Sequence, residues 1–255
     1  MTNNILSGQP SSTIASKKKD TGAAFYLPEQ SCGIGTTASA AENMALDMSM
    51  LADNTNRELL FRSYNWSEPT ATFGYNQSLS AVKLQTSKFG AAISLQRRPT
   101  GGGIVDHRND WTYALAIPAS HAMAKVKPLD LYHIVHQALA RSLREVGIDA
   151  AVAADAGCKA GLTCFVKPMR YDVVDGTGLK LAGAALKRTR DGVLLQGSVL
   201  IQDFHRPLAA TFPDQLSIAM GNRLTIGLPA LLCKSSAFSA NHRRFASSEW
   251  NQLRA

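Results

Sequence analysis

Met44, Ala45, Met48 and Leu51 recur at helical spacing with Glu42, Asp47 and Asp53 between them, which predicts an amphipathic helix over 40–52. Its methionine stripe reads as core. Short runs rich in Ile, Phe and Tyr at 59–64, 71–75 and 91–98, separated by Pro and Gly signals, predict strands, and 111–117 adds another. Pro128-Leu129-Asp130 then opens the clearest helix, with Leu131, Ile134, Val135, Ala138, Leu139 and Leu143 on one face and Gly147 as its stop. Beyond a loop-rich stretch over 150–170, strands are expected at 171–174, 179–185 and 193–202, with Asp175-Gly176-Thr177-Gly178 as a turn. An apolar 228–232 segment and a capped final helical turn at Ser247-Ser248-Glu249-Trp250 complete the pattern. Hairpin-like strands interrupted by isolated helices indicate an α+β domain, a mixed and mostly antiparallel sheet with flanking helices.

The chain has 255 residues, 45% hydrophobic and 18% charged, which suits one globular domain. Residues 1–22 are rich in Ser, Thr, Asn and Lys without periodicity, so they are expected to be a disordered leader before a domain over 23–255. No apolar run reaches bilayer length and no secretory h-region opens the chain, so no membrane association is expected. Cys32, Cys158, Cys164 and Cys233 have no disulfide-scaffold spacing, and a cytoplasmic location follows as the expectation. A net charge of +8 favours an acidic partner, either a carrier protein or an anionic small molecule. Nucleic acid is disfavoured, because the basic residues are dispersed outside Lys17-Lys18-Lys19 and no nucleic-acid signature is present. His133 and His136 lie three apart without a carboxylate in register, so they read as a solvated or capped pair and no metal is expected.

Chemistry concentrates in Arg97-Arg98-Pro99-Thr100-Gly101-Gly102-Gly103-Ile104-Val105-Asp106-His107. Three glycines permit positive φ and let a ligand approach main-chain N–H groups, and a simple hairpin would not need Arg97, Arg98 and His107 around them. A phosphate, a carboxylate or a developing oxyanion would fit such a loop. Further on, Gly178-Leu179-Lys180-Leu181-Ala182-Gly183-Ala184-Ala185 sets a lysine three residues before a glycine in a small-residue strand. That lysine is either a surface residue or an ammonium held against a ligand. Cys164 in the preceding loop is either a small buried hydrophobe or a low-pKa nucleophile.

In order along the chain, these segments resemble the biotin/lipoate protein ligase superfamily, in particular its lipoate-protein ligases and the octanoyl transferases of lipoate synthesis. Glu42–Asp47 is similar to the family's first helix, and Arg62–Gln77 to its R-x-Y-x-W-x-x-P-x-x-S-x-G-x-x-Q segment. Arg97–His107 matches R-R-x-[ST]-G-G-G-x-V-x-H. Gly178–Ala185 resembles the G-x-K-[IL]-x-G-[SN]-A strand that bears the essential lysine, and Phe245–Asn251 the closing Y-x-[ST]-x-E-W-N. The biotin branch is disfavoured, since its arginine-rich loop is missing.

The resemblance implies acyl chemistry on a lipoyl or octanoyl group inside a tunnel beside the glycine loop. Lys180 would contact the reacting carbonyl, with Arg98, Gly101, Gly102, Gly103, His107 and Gly183 lining the pocket. Cys164-Phe165 is similar to the C-F pair that supplies a nucleophilic cysteine in one octanoyl transferase class. That implies a cysteine thioester, transfer to a lysine of a lipoyl-acceptor domain, an acyl carrier protein as a possible donor, and no cofactor. The alternatives are an ATP- and Mg-dependent lipoate ligase and a non-catalytic acyl- or carrier-binding relative. The chain departs from the pattern at Gly183-Ala184-Ala185-Leu186, where G-S-A-Q is usual, and at Gln196, where a histidine is usual.

Overall fold

The computed structural model describes residues 35–54, 56–89, 92–154, 168–201, 205–227 and 235–253. The chain enters through strand β1 (Thr36–Ala38) and helix α1 (Ala40–Ala52). Ser39 caps α1 in a reciprocal box, its hydroxyl accepting from the Glu42 N–H while the Glu42 carboxylate accepts from the Ser39 N–H at 2.8 Å. Then follow β2 (Leu59–Trp66), β3 (Thr70–Phe73), α2 (Leu79–Thr86), β4 (Ser94–Arg97), β5 (Val105–Asp106), β6 (Trp111–Pro118) and α3 (Pro128–Glu145). The second half comprises β7 (Ala151–Val152), β8 (Val173–Val174), β9 (Lys180–Thr189), β10 (Gly192–Val199), α4 (His205–Met220), β11 (Leu224–Ile226), α5 (Ser236–Ala246) and α6 (Ser248–Gln252).

An eight-stranded sheet runs β1-β2-β6-β10-β9-β8-β7, with β11 also on β2, and a small sheet runs β4-β3-β5. In the large sheet only the β1 and β11 pairings with β2 are parallel, so the expected mostly antiparallel α+β architecture holds, divided over two sheets. Side chains alternate across a strand, and each face of the large sheet therefore has its own helical cover. Phe61, Tyr113, Leu115, Val193, Leu195 and Val199 pack with Leu131, Val135 and Leu139 of α3 and Leu208 and Phe212 of α4. On the opposite face Leu60, Ala114, Ala116 and Leu194 meet Met44 and Leu46 of α1, Phe238 and Phe245 of α5, and Trp250 of α6.

Helices α2, α4 and α5 were not apparent from periodicity. Asp47, read as a polar residue between the apolar positions of α1, is fully buried, because a cation on β2 meets it there. Register does this: Arg62, Ala114, Gln196 and Ala185 form one row across β2, β6, β10 and β9, and Tyr64, Thr112, Ser198 and Gly183 form the next. Arg62 and Tyr64, one from each row, both reach Asp47 of α1. The 228–232 segment and the 1–22 leader expected from the sequence lie outside the described residues. Among the described residues no helix is long and apolar enough to cross a membrane.

Candidate active site

A cavity of about 520 Å³ opens between the glycine run, β9, β10 and the first turns of α3. Arg98, Gly102, Gly103, His107, Lys180 and Gly183 all line it, so residues distant in sequence converge on one cavity. Gly101 is not among the lining residues. Its carbonyl instead accepts from Arg98 Nε at 3.1 Å and Nη2 at 2.5 Å, which folds the loop back on its own arginine. Gly102 sits at φ +91°, a conformation that favours glycine, and a Cβ there would lie 2.8 Å from the Arg98 guanidinium. Burial lowers the Arg98 pKa to about 10, so the group remains cationic at neutral pH.

Arg97 faces the other way. Its guanidinium donates to the carbonyls of Tyr75 and Gln77 at 2.7 Å each and to those of Trp250 and Asn251 at 3.0 Å each. It clasps α6 to the base of the loop and does not line the cavity, which corrects the expectation that it flanks a ligand.

Lys180 stands at the start of β9 with Nζ 2.7 Å from Asp172 Oδ2. Gly183 makes room for this pair, since a Cβ at that position would come within 2.7 Å of Lys180 Nζ and 3.0 Å of Asp172 Oδ1. The Met169 N–H also donates to Asp172 Oδ2 at 2.7 Å and fixes the carboxylate. The surface reading of Lys180 is therefore wrong: its side chain is 13% exposed and turned into the cavity wall.

His107 is engaged at both ring nitrogens, Nε2 with Thr72 Oγ1 at 2.8 Å and Nδ1 with Asp110 Oδ2 at 2.8 Å. Asp110 also accepts from Ser198 Oγ at 2.5 Å and from Thr112 Oγ1 at 3.1 Å, and Trp66 stacks on the imidazole at 4.3 Å between ring centroids. This ring holds the wall rigid.

Behind it lies a polar cluster that sequence reasoning missed. Asp47 Oδ1 accepts from Arg62 Nη1 at 2.6 Å, and its Oδ2 accepts from Tyr64 Oη at 2.8 Å and from Gln196 Nε2 at 2.6 Å. Burial first, and the Asp47 charge second, push the Tyr64 hydroxyl well above its ordinary range, so it serves as a donor. Gln196 then accepts from Thr100 at 2.7 Å, linking the cluster to the glycine run. In this chain, the Gln196 departure is thus a bridging residue in a continuous network.

His136 is a further correction. It is 1% exposed, where a solvated or capped pair was expected, because the Tyr171 segment closes over it and puts a carbonyl 2.5 Å from its Nδ1. Among the described residues no group of three or more His, Cys, Asp or Glu side chains converges as metal ligands do. Cys164 lies outside the described residues.

Residues 39–215 match the family model described as the lipoyl protein ligase A/B catalytic domain. The chain belongs to this family. The lipoyl protein ligase A/B match contains the glycine run and Lys180, together with the polar cluster behind them. Among curated relatives, octanoyltransferase LipM of Kyrpidia tusciae is 31% identical over 172 residues, covering 64% of this chain and 62% of the relative. The matched region thus spans a little under two thirds of such relatives' length. A solved lipoate-protein ligase A bound with ATP superposes with a TM-score of 0.66 at 16% identity, covering 88% of this chain and 98% of the other. The bipartite lipoate protein ligase of Thermoplasma acidophilum, from a structural analysis that includes its E2 lipoyl domain, gives 0.62 at 15% identity, covering 89% and 97%. At these identities the superpositions establish the fold of the lipoyl protein ligase A/B catalytic domain in this chain.

Proposed function

We propose that this protein is an acyltransferase of lipoate metabolism, moving an octanoyl or lipoyl group from a thioester donor to a lysine of an acceptor protein domain. The observation that carries the reading is the convergence of Lys180, paired with Asp172, and the glycine run on one cavity whose wall also includes Met44, Tyr64, Trp66, Ile104 and Val105. Apolar and aromatic side chains suit an acyl chain, while a fixed ammonium and backbone N–H groups suit the oxyanion that forms when its carbonyl is attacked. Relatives named octanoyltransferase LipM support the same chemistry. Acceptor and donor are read as a lipoyl domain and an acyl carrier protein, in line with the protein's net charge of +8.

Cys164, which stands beside Phe165 before the lysine strand, is assigned as the nucleophile on its sequence context. Its thiolate attacks the donor's carbonyl carbon, a new C–S bond forms, and the donor thiolate leaves. The acceptor amine then attacks the enzyme thioester; the amide bond forms, and the Cys164 thiolate is released. Neither step requires ATP. Incubation with an octanoyl thioester donor is expected to add one hydroxylamine-labile octanoyl group to the wild type and none to Cys164→Ser, with or without ATP, as read by intact mass. Pyrophosphate exchange with ATP in the presence of lipoate, without an adduct, overturns the transferase reading in favour of a ligase.

Gly183→Ala tests the role of the lysine's position apart from its charge. The added methyl group displaces a flexible ammonium and no backbone, so the melting temperature is expected to change by no more than a few degrees. Transfer should fall at least about tenfold, because small misplacements of a reacting group are costly. Unchanged turnover would show that Lys180 acts from elsewhere than the observed position.

A further inference from the structure

A second hollow, of about 500 Å³, lies beside the first along α3. Leu129, Tyr132 and His136 of that helix line the first cavity, whereas His133, Gln137, Arg141 and Arg144, on the next stripe of the same helix, line the second. Residues 151–154, on β7 and just after it, line it too, and their small side chains leave it open. Three of its lining residues are arginines, Arg141, Arg144 and Arg170, and none is an acid. Arg144 donates to the Ala150 carbonyl at 2.6 Å and Arg170 lies over the Tyr171 ring at 4.8 Å, contacts that leave their charges unneutralised. Among the described residues no ion pair holds any of the three. A guanidinium stays protonated in a protein, so the hollow concentrates three positive charges that an anion would relieve.

This arginine basin adjoins the reaction cavity. Arg170 lines both, and the backbone that carries it is fixed. Tyr171 takes φ +71°, its N–H donates to the Ala153 carbonyl at 2.9 Å, and its ring lies 4.6 Å from that of His133. Strand register sets the separation. Ala151 of β7 pairs with Val174 of β8, and Val174 pairs with Lys180 of β9. The wall of the basin is therefore two strand spacings, roughly 10 Å, from the lysine position.

Resting on the acyl-transfer reading above, we propose that the arginine basin binds the phosphate of a pantetheine-type thioester donor, whose acyl end enters the cavity past Arg170. A pantetheine arm has the length of about four extended residues, roughly 14 Å, enough to join the two sites. Guanidinium groups match phosphate oxygens in pairs of hydrogen bonds, and a concave site suits a small anionic group better than the flat face of a partner. No bond forms or breaks in the basin; it holds the donor while the thioester reacts.

The test uses the full-length protein and donors that differ in their phosphate. Transfer to a purified lipoyl domain is measured with octanoyl-pantetheine, octanoyl-4′-phosphopantetheine, octanoyl-coenzyme A and octanoyl-carrier protein. For the wild type, KM is expected to be at least about tenfold lower with the phosphopantetheine thioester than with its phosphate-free counterpart. Arg141→Glu reverses the charge of an exposed side chain and should raise KM about tenfold for all three phosphorylated donors. Its kcat, and its KM for octanoyl-pantetheine, should stay within about twofold of the wild type, and Arg141→Lys should retain most of the affinity. Equal wild-type KM values for the two pantetheine donors would overturn the proposal. So would an equal loss with both of them in Arg141→Glu, or a loss confined to the carrier protein, which would mark a contact with the carrier's own surface. Calorimetric titration with 4′-phosphopantetheine itself separates this site from the reaction. Binding that Arg141→Glu weakens, without any transfer by the wild type, supports the basin while the acyl-transfer reading falls; no binding overturns the basin.

Discussion

Lys180→Ala is expected to reduce octanoyl transfer by about 100- to 1,000-fold, the loss typical of removing one donor to a developing oxyanion. The fold should survive, for reasons visible in its neighbours. Asp172 keeps the bond from the Met169 N–H, and the open cavity lets water take the place of the ammonium. A melting temperature within a few degrees of the wild type, measured on the same preparation as the turnover, is therefore expected. Wild-type turnover would remove Lys180 from the chemistry and, with it, the main support for the proposed function. Lys180→Arg is expected to rescue little, because the planar guanidinium has a different shape from the ammonium that fits beside Gly183.

The convergence of Lys180 with the glycine run was implied only by the family resemblance that these two motifs carry, since the spacing of Lys180 from Gly183 by itself left a surface lysine open. The helices α1 and α3 were legible because their apolar stripes follow the helical period. Helix α4 was hidden because Pro213 interrupts its interior, and α5 because Asn241-His242-Arg243-Arg244 fills most of its second half with polar residues. The Asp47 cluster was beyond any local reading. Arg62 reaches Asp47 only through the pairing of β2 with β6, and Gln196 arrives from β10, 149 residues away from Asp47. His136 posed the same difficulty, since what buries it is the Tyr171 segment 35 residues downstream. Burial of a polar side chain is a tertiary fact, and the spacing of His133 and His136 carried no trace of it.

The largest effect on stability is expected at Arg62. Its ion pair with Asp47 and the exposed pair of Arg108 with Asp106 have the same 2.6 Å separation, so distance does not distinguish them. Burial does. Both side chains of the first pair are fully buried, whereas those of the second are 40% and 28% exposed. Water screens the exposed pair, and Arg108→Ala should leave the melting temperature nearly unchanged. Arg62→Ala, by contrast, leaves the Asp47 carboxylate buried without its cation, removes the bond to Asn43 Oδ1 at 2.6 Å, and opens a void beneath Tyr64. Loss of one partner from such a buried pair costs about 3–5 kcal/mol. For a domain of this size that corresponds to a fall in melting temperature of roughly 10 °C. The damage should extend to the site, since Asp47 positions Gln196, and Gln196 holds Thr100 at the start of the glycine run. Thermal unfolding of the two variants side by side decides the matter. A large shift for Arg62→Ala and a small one for Arg108→Ala supports a cluster that braces the cavity from behind, while equal shifts would mean that the interior pair contributes no more than a surface contact.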